Sequence, residues 1–354
     1  MINNKLRINS LLFSISYWML AGFYLVTVRY FGLGEFAPPD LNYGDLAAYA
    51  GLGGCSIGLL FGLIPLNNLL RFQRRRSFLS VVLLSTSCYV LFFVTVIFIS
   101  SALGNSVQFA LSYAFSPDGL IVLFHLSMSS ALYHFILQIN KKFGPGVLLE
   151  YATGRYFAPK VEDRAFMFLD LKSSTHLAEK LEHVSYSRLV QDCYAELTMP
   201  LIQYNAEVYQ YVGDEVVLTW RMNGSFSASY CHEFAYAFQD RLEAKKEYFI
   251  SNYGVRPQFK AGAHCGKVTV AEVGEIKTEI AYHGDVLNTA SRIQNLCNQF
   301  EKQLLLSESL VARLGEKDRA RASFVAEAEL KGKESPTKIF TIAKAGNGMM
   351  LSCW

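Results

Sequence analysis

Charged side chains are scarce in the first part of this 354-residue chain. Residues 1–140 contain 7 Lys or Arg and 4 Asp or Glu, whereas residues 141–354 contain 26 residues of each sign. This uneven distribution excludes intrinsic disorder and a single globular core, and it divides the chain into a lipid-like part and an ordinary soluble part. Because the net charge of +3 comes entirely from the first part, nothing indicates a nucleic-acid partner.

Cysteine pairs of the kind that bind zinc or form redox disulfides are also missing. None of the 7 cysteines belongs to a CxxC motif, and the five outside the apolar stretches are scattered through the soluble part. This pattern excludes a disulfide scaffold. We interpret the cysteines as reduced thiols that pack in the interior.

Four uncharged stretches are each long enough to cross a bilayer, which takes about 20 helical residues. They cover residues 8–28, 46–70, 78–103 and 119–140. Apart from Arg29, the basic residues lie before the first stretch, between the second and third, and after the fourth, whereas the acidic residues lie in the other two loops. By the positive-inside rule, we expect a multi-pass protein of the inner cell membrane, with the lipid bilayer as partner and with a cytoplasmic N-terminus and soluble domain.

Two histidines, His125 and His134, lie in the fourth apolar stretch. Intramembrane ionisable groups are often functional, so one interpretation makes them metal or haem ligands across a dimer. The other, which we favour because no other stretch contains a histidine, is that they form hydrogen bonds inside a helix bundle. A row of glycines in the second stretch favours close helix packing, namely Gly51, Gly53, Gly54, Gly58 and Gly62.

The rest of the chain divides into a connector at 143–164, a soluble domain at 165–345 and a tail at 346–354. Apolar runs predict strands at 165–171, 207–212, 215–220, 258–265 and 267–273. Polar and apolar periodicity predicts helical turns within 147–157 and helices at 173–204, 226–251 and 284–300. The candidate N-caps of the first long helix are Ser173, Ser174 and Thr175.

The order of these elements is strand, helix, strand, strand, helix, strand. This is the ferredoxin-like βαββαβ arrangement, in which an antiparallel sheet has helices on one face. The predicted fold class is therefore a four-helix transmembrane domain followed by an α+β domain.

Two aspartates lie where a sheet would bring them together. Asp170 is at the end of the first strand, and Asp214 lies with Gly213 in the tight turn of the predicted hairpin. If their strands are neighbours, the two carboxylates suit Mg²⁺ bound together with a substrate's phosphates. In the alternative, Asp214 only forms the turn and Asp170 only caps the next helix. Taken one at a time, each aspartate fits this structural role better.

The third predicted helix carries Asn288 and Arg292 four residues apart on one face. Its segment GDVLNTASR at 284–292, combined with FLDLKSST at 168–175 and YQYVGDEVV at 209–217, closely resembles the catalytic domain of class III adenylate and guanylate cyclases. The segment LKGK at 330–333, followed by Pro336 and Phe340, resembles the additional C-terminal strands of that family. The resemblance covers residues 165–343, and the whole chain is similar to the membrane-anchored bacterial type.

The resemblance implies two divalent cations per site, Mg²⁺ or Mn²⁺, held by Asp170, Asp214 and the backbone carbonyl of Leu171. The residues that match Asn288 and Arg292 orient the ribose and stabilise charge on the phosphorus. Contacts to the triphosphate are implied for Lys333 and for the backbone N–H groups at Ser173, Ser174 and Thr175.

The same family brings the carboxylates of one subunit to the Asn/Arg pair of another. The resemblance therefore implies a head-to-tail homodimer with two equivalent shared sites. At each site, the 3′-hydroxyl of a nucleoside triphosphate attacks the α-phosphorus and pyrophosphate leaves, with the two metals stabilising the entering and leaving oxygens.

The base-recognising positions depart from the family's pattern. Adenylate cyclases commonly have Lys paired with Asp or Thr, and guanylate cyclases commonly have Glu and Cys, where this chain has Gln210 and Ala281. Glutamine can donate to and accept from either purine, and alanine recognises nothing through its side chain. In the first loop, residues 172–174 replace the Gly-Phe that usually precedes the threonine. Prevalence in the family favours ATP; the alternatives are a guanylate cyclase and a catalytically silent regulatory domain of a membrane receptor.

Overall fold

The computed structural model describes residues 2–32, 42–62, 77–102, 112, 115–144, 147–223, 226–330 and 335–344. The chain forms two units, Met1–Leu148 and Leu149–Trp354. Several predicted features lie outside the described residues: Lys333, the tail at 346–354, residues 63–70 of the second apolar stretch and residue 103 of the third.

The described part of the first unit contains four long helices, each of which overlaps one predicted apolar stretch. They are α1 (Ile2–Gly32), α2 (Tyr43–Gly62), α3 (Phe78–Ala102) and α4 (Pro117–Phe143). Among the described residues, two segments are long and apolar enough to cross a membrane, Ser10–Phe31 in α1 and Pro117–Asn140 in α4. Helix α3 contributes a shorter apolar segment, Phe78–Phe92. Two of the four predicted spans are therefore supported.

Helices α1 and α2 pack closely through glycines of α2. A Cβ atom on Gly54 would lie 2.5 Å from the carbonyl oxygen of Trp18, and one on Gly58 would lie 2.5 Å from the Cα of Ile15. Only a hydrogen fits at these two positions, so the predicted close packing is confirmed there. Gly53, by contrast, faces open space.

Arg29 is the basic residue that departs from the predicted distribution of charges among the loops. It forms an ion pair with Asp118 of α4 (Nη2–Oδ1 2.6 Å). His125 donates from Nε2 to the carbonyl oxygen of Ala21 (2.9 Å), as the hydrogen-bonding interpretation predicts. The ring of His134 is buried among aromatic side chains, and its nitrogens have no hydrogen-bond partner within the described residues. Within the described residues, the hydrogen-bonding prediction is therefore confirmed for His125 and wrong for His134.

A short helix, α5 (Val147–Ala152), spans the boundary between the units, within the region predicted to form helical turns. The second unit is built on an eight-stranded sheet with the order β2-β3-β1-β4-β6-β8-β7, in which β5 pairs with β4. Its strands are β1 (Lys160–Leu171), β2 (Glu207–Val212), β3 (Glu215–Arg221), β4 (Phe259–Val273), β5 (Glu279–His283), β6 (Leu304–Ser307), β7 (Ala322–Ala328) and β8 (Thr337–Ile342). Strands β1 to β4 have the order and antiparallel pairing of a ferredoxin-like core.

Helices cover both faces of this sheet. The helices are α6 (Ser174–Lys180), α7 (His183–Glu196), α8 (Thr198–Gln203), α9 (Ser229–Ala244), α10 (Lys246–Tyr253), α11 (Val286–Gln299), α12 (Glu308–Val311) and α13 (Glu316–Arg319). Residues of α7 and α9 form one core with Met167 and Leu169 of β1, whereas α11 packs on the opposite face, in a cluster with Phe166. The prediction that the helices lie on one face of the sheet is therefore wrong. Helices α7 and α9 share one face, but α11 lies on the other. Strand β1 is apolar at successive positions, so both of its faces are buried.

Several predicted boundaries are wrong. Strand β1 begins at Lys160, inside the predicted connector, and β5 was not predicted. The two strands predicted around Gly266 are one continuous strand, because Gly266 stays in the ladder opposite Arg164. The helix predicted at 173–204 is divided into α6, α7 and α8; the break between α7 and α8 follows from Pro200, which has no N–H to donate to the carbonyl of Glu196. The helix predicted at 226–251 is divided into α9 and α10.

Candidate active site

Asp170 and Asp214 meet at one edge of the sheet. Asp170 lies opposite Glu215, the residue after Asp214, and the N–H of Leu171 donates to the carbonyl oxygen of Asp214 (3.3 Å). Gly213 opens the two-residue turn between β2 and β3 with a φ of 60°, a left-handed conformation that glycine adopts without strain. The ends of two neighbouring strands therefore place the two aspartates side by side.

Three carboxylates and one ammonium group share this edge. Lys260 lies opposite Asp170 on β4, with Nζ 3.1 Å from Oδ2, and Gln294 of α11 donates from Nε2 to the same oxygen (3.2 Å). Burial raises the pKa of Asp170 above its ordinary value; Asp214 adds to this rise and Lys260 opposes it. Burial, followed by the two aspartates, also raises the pKa of Glu215. The cluster has an excess of negative charge.

Asp170 does not fill the helix-capping role considered above, whereas Asp214 does lie in the predicted turn. Asp170 accepts hydrogen bonds from Lys260 and Gln294, and Ser173 occupies the N-cap position of the next helix. Within the described part of the chain, no hydrogen bond to the carboxylate of Asp214 is found. Carboxylates with free oxygens, together with a backbone carbonyl, are a donor set that fits a hard divalent cation such as Mg²⁺.

Asn288 and Arg292 lie on the side of α11 that is not buried against the sheet. Asn288 is exposed and Arg292 is half-buried, whereas Ile293 and Gln294 are fully buried. The helix is seated on β4 at Gly262, where a Cβ atom would lie 2.1 Å from the backbone nitrogen of Gln294. Glycine at this position therefore sets the height of α11 above the sheet.

Gln210 and Ala281 lie on β2 and β5. Gln210 is exposed and lies opposite Val217, which belongs to the cluster beneath α11. A β-bulge at Tyr209 turns this residue toward the same sheet face, where its ring contacts that of Tyr282 (centroids 4.9 Å apart). The two positions predicted to recognise the base are thus on strands that contact each other.

The loop after β1 does not form the side-chain helix cap that the sequence predicts at Ser173. Ser173 has a φ of 58°, and its side chain does not cap α6. N-cap residues normally have extended backbone, so the prediction of a side-chain cap at Ser173 is wrong. The N–H of Lys172 donates to the carbonyl oxygen of Gln258 (2.8 Å). Thr175 follows in the first turn of α6.

Sequence reasoning missed three residues at this site. Lys260 and Gln294 contact Asp170, and Tyr194 of α7 donates from its hydroxyl to the carbonyl of Gly213 (3.1 Å). The one available signal was Lys260, a lysine within the otherwise uncharged run FKAGAHCG. Gln294 and Tyr194 lie on amphipathic helices, where polar residues are ordinary.

Comparison with known proteins identifies the class. A family model described as the adenylate and guanylate cyclase catalytic domain matches residues 157–344. The matched segment includes the eight-stranded sheet and its carboxylate edge. The chain belongs to the adenylate and guanylate cyclase catalytic-domain family.

Individual relatives are similar to different extents. Adenylate cyclase 2 of Rhizobium meliloti (strain 1021) is 28% identical over 305 residues, which cover 82% of this chain and 84% of that protein. The adenylate cyclase of Anabaena cylindrica is 22% identical over 179 residues, which cover 50% of this chain and 36% of that protein. A solved bacterial light-regulated adenylyl cyclase covers 60% of this chain and 63% of its own, with 17% identity and a TM-score of 0.52. The first similarity is longer than the second unit, and the solved structure supports the fold.

Proposed function

We propose that this chain is a membrane-anchored adenylate cyclase, which converts ATP to 3′,5′-cyclic AMP and pyrophosphate. The main observation behind this proposal is that Asp170 and Asp214 meet at one sheet edge in a domain of the cyclase family. Two relatives named adenylate cyclase support ATP as the substrate. The apolar segments of α1 and α4 support membrane anchoring. We retain four spans of the inner membrane and a cytoplasmic catalytic domain as part of the proposal.

Each catalytic residue has a distinct role in the proposed reaction. Asp170, Asp214 and the backbone carbonyl of Leu171 would hold two Mg²⁺ or Mn²⁺ ions. When bound, these ions supply activation of the 3′-hydroxyl and neutralisation of the triphosphate. Arg292 presents a permanently charged guanidinium to the charge that develops on the α-phosphate. Asn288 orients the ribose through an amide that both donates and accepts.

The two halves of the site face different directions on one chain, which supports sharing between two copies. Asp170 is contacted by Gln294 from the buried side of α11, whereas Asn288 and Arg292 lie on the other side of that helix. A two-fold axis would bring the carboxylates of one subunit to α11 of the other and generate two equivalent sites. The proposed enzyme is therefore a homodimer.

The nucleotide test decides both enzyme class and substrate. Purified full-length chain in detergent would be incubated with Mn²⁺ and either ATP or GTP, and the products separated by chromatography. We expect cyclic AMP from ATP and a lower kcat/KM for GTP, because the relatives named adenylate cyclase favour ATP, whereas Gln210 can bond either purine. Cyclisation of GTP alone would overturn the substrate assignment. The absence of product from either nucleotide would indicate a silent regulatory domain.

Tyr194→Phe tests how the carboxylate turn is held. This change keeps the ring contact with Tyr211 (centroids 4.8 Å apart) and removes only the hydrogen bond to Gly213. Such a bond contributes about 1 kcal/mol, so we expect the half-saturating Mn²⁺ concentration to rise about fivefold. Calorimetric titration of Mn²⁺ in the presence of a non-reactive ATP analogue measures this.

The matched control is Tyr248→Phe, which removes a hydroxyl that donates to Asp192 (2.7 Å), away from the turn. We expect Mn²⁺ binding within about twofold of the unmodified protein, as for most surface substitutions. Equal weakening by both variants would show that Tyr194 does not act on the turn specifically.

A further inference from the structure

Tyr156 is a buried residue of the connector and has no assigned role. It precedes by one residue the segment that matches the family model. Its side chain is only 2% exposed, and it belongs to the same buried cluster as Val286 and Ala290 of α11. Because Val286 and Ala290 flank Asn288 in the sequence of the helix, this cluster lies beneath the part of α11 that carries Asn288.

Two hydrogen bonds hold Tyr156 in place. Its hydroxyl donates to Oε1 of Glu162 on β1 (2.8 Å), and its carbonyl oxygen accepts from the N–H of Glu272 on β4 (3.0 Å). The second carboxylate oxygen of Glu162 accepts from Nε of Arg164 (2.8 Å). The connector is therefore attached to both central strands at this point.

Arg164 extends these contacts to the strands that carry the base-recognising positions. Its side chain is fully buried, donates from Nη1 to Glu207 of β2 (2.9 Å) and lies over the ring of Tyr282 on β5 (4.8 Å to the centroid). Removing a partner from such a buried charge is costly. The hydroxyl of Tyr156 thus helps to position Glu162, whose ion-pair partner Arg164 contacts both β2 and β5.

The N-terminus of α11 lies at the same level of the sheet. Gly266 pairs with Arg164, and a Cβ atom on Gly266 would lie 3.0 Å from Cγ2 of Val286. Asp170 lies eight residues beyond Glu162 on β1, which is about 26 Å along an extended strand. Tyr156 is therefore close to the base of α11 and far from the carboxylate edge.

We propose that Tyr156 is a positioning residue for the half of the active site formed by Asn288 and Arg292. The proposal rests on the proposed function and its shared sites. Tyr156→Ala would leave a cavity in the cluster under α11, and partial collapse into that cavity would shift the helix. A misplacement of about 1 Å is enough to lower a rate about a hundredfold. The carboxylate half is also held by Lys260 of β4 and by Tyr194 of α7, which do not lie on α11, so we expect the smaller effect there.

A heterodimer with a single working site isolates this effect. In a dimer of one Asp170→Ala chain and one Arg292→Ala chain, the working site takes Asn288 and Arg292 from the first chain and the carboxylates from the second. Tyr156→Ala would be placed on one chain or the other, so that both heterodimers contain the same three substitutions. We expect at least about tenfold lower kcat when Tyr156→Ala is on the Asp170→Ala chain, and activity within about twofold when it is on the Arg292→Ala chain.

Two further variants sharpen this test. Tyr156→Phe keeps the ring and loses only the hydroxyl, so we expect the same asymmetry with a loss of about fivefold, corresponding to one hydrogen bond. Tyr194 holds the carboxylate turn, so for Tyr194→Phe we expect the opposite asymmetry. Equal losses in both placements of Tyr156→Ala would mean general destabilisation, and no loss in either would mean no positioning role; both results overturn the proposal.

Hydrogen exchange provides a measurement that does not depend on activity. In the full-length Tyr156→Ala homodimer, we expect faster amide exchange at residues 286–292 and unchanged exchange at 166–171. If the parent heterodimer has no activity, the shared site of the proposed function fails, and the exchange result still decides the role of Tyr156. Unchanged exchange at 286–292 would overturn that role.

Discussion

Asp170→Ala is expected to lower the turnover of ATP at least about a thousandfold, which corresponds to about 4 kcal/mol of transition-state stabilisation. The carboxylate lies between Lys260 and the turn that carries Asp214, and it is the side-chain carboxylate that β1 places at this edge. The core should stay intact, because Leu169 and Leu171 pack on the opposite face of the strand. Turnover and Mn²⁺ binding would be measured together with the circular dichroism spectrum.

Two variants control this experiment. Asp170→Asn keeps the shape of the side chain and its contact with Gln294 but removes the negative charge, so we expect a loss similar to that of Asp170→Ala. Asp240→Ala removes an exposed carboxylate on α9 that pairs with Lys344, and activity should stay within about twofold, as for most surface changes. Retained turnover in folded Asp170→Ala or Asp170→Asn would contradict the assignment of Asp170 as a metal ligand.

Mixed dimers of Asp170→Ala and Arg292→Ala chains are expected to recover activity that neither chain has alone. Each homodimer has two defective sites, whereas each heterodimer has one intact site and one site with both defects. Random pairing makes half of the dimers heterodimers, so we expect about a quarter of the unmodified activity per total protein. Co-expression with two affinity tags and sequential purification would isolate the heterodimers and measure their specific activity.

The matched control combines Asp170→Ala with Asp214→Ala. Both changes affect the carboxylate half, which each site takes from a single chain. Every site in every possible dimer therefore lacks one of the two aspartates, and we expect no activity. Failure of the Asp170→Ala and Arg292→Ala heterodimer, once its composition is verified, would show that the site is not shared between chains. Activity in the control pair would show that the Asp170 and Asp214 side chains of one site come from different chains.

Local sequence patterns predicted the main elements of the second unit but not all their limits. Asp170 and Asp214 were placed at a strand end and in a tight turn because apolar runs and a Gly-Asp pair are local signals. The break predicted at Gly266 was wrong, since glycine marks a turn only when its backbone is free to leave the sheet. Here the neighbouring strand holds Gly266 in the ladder, opposite Arg164. A single sequence contains no information on that pairing.

The second face of the sheet was missed for a related reason. A run of consecutive apolar residues such as 165–169 is compatible with burial on one face or on both. Only the folded chain shows that α11 occupies the second face, where it sits directly on Gly262. The position of Asn288 and Arg292 relative to the sheet was therefore not predictable, although the two residues could be named as site candidates from the sequence.

The amino-acid sequence alone determined the two-part organisation, the apolar stretches and the family motifs, because each depends on residues that are close in the chain. The tertiary structure decided which groups surround those motifs. Lys260 and Gln294 reach Asp170 from 90 and more positions away, and Tyr156 lies beneath a helix that begins at Val286. Such contacts depend on strand register and helix placement, which the whole folded chain establishes together.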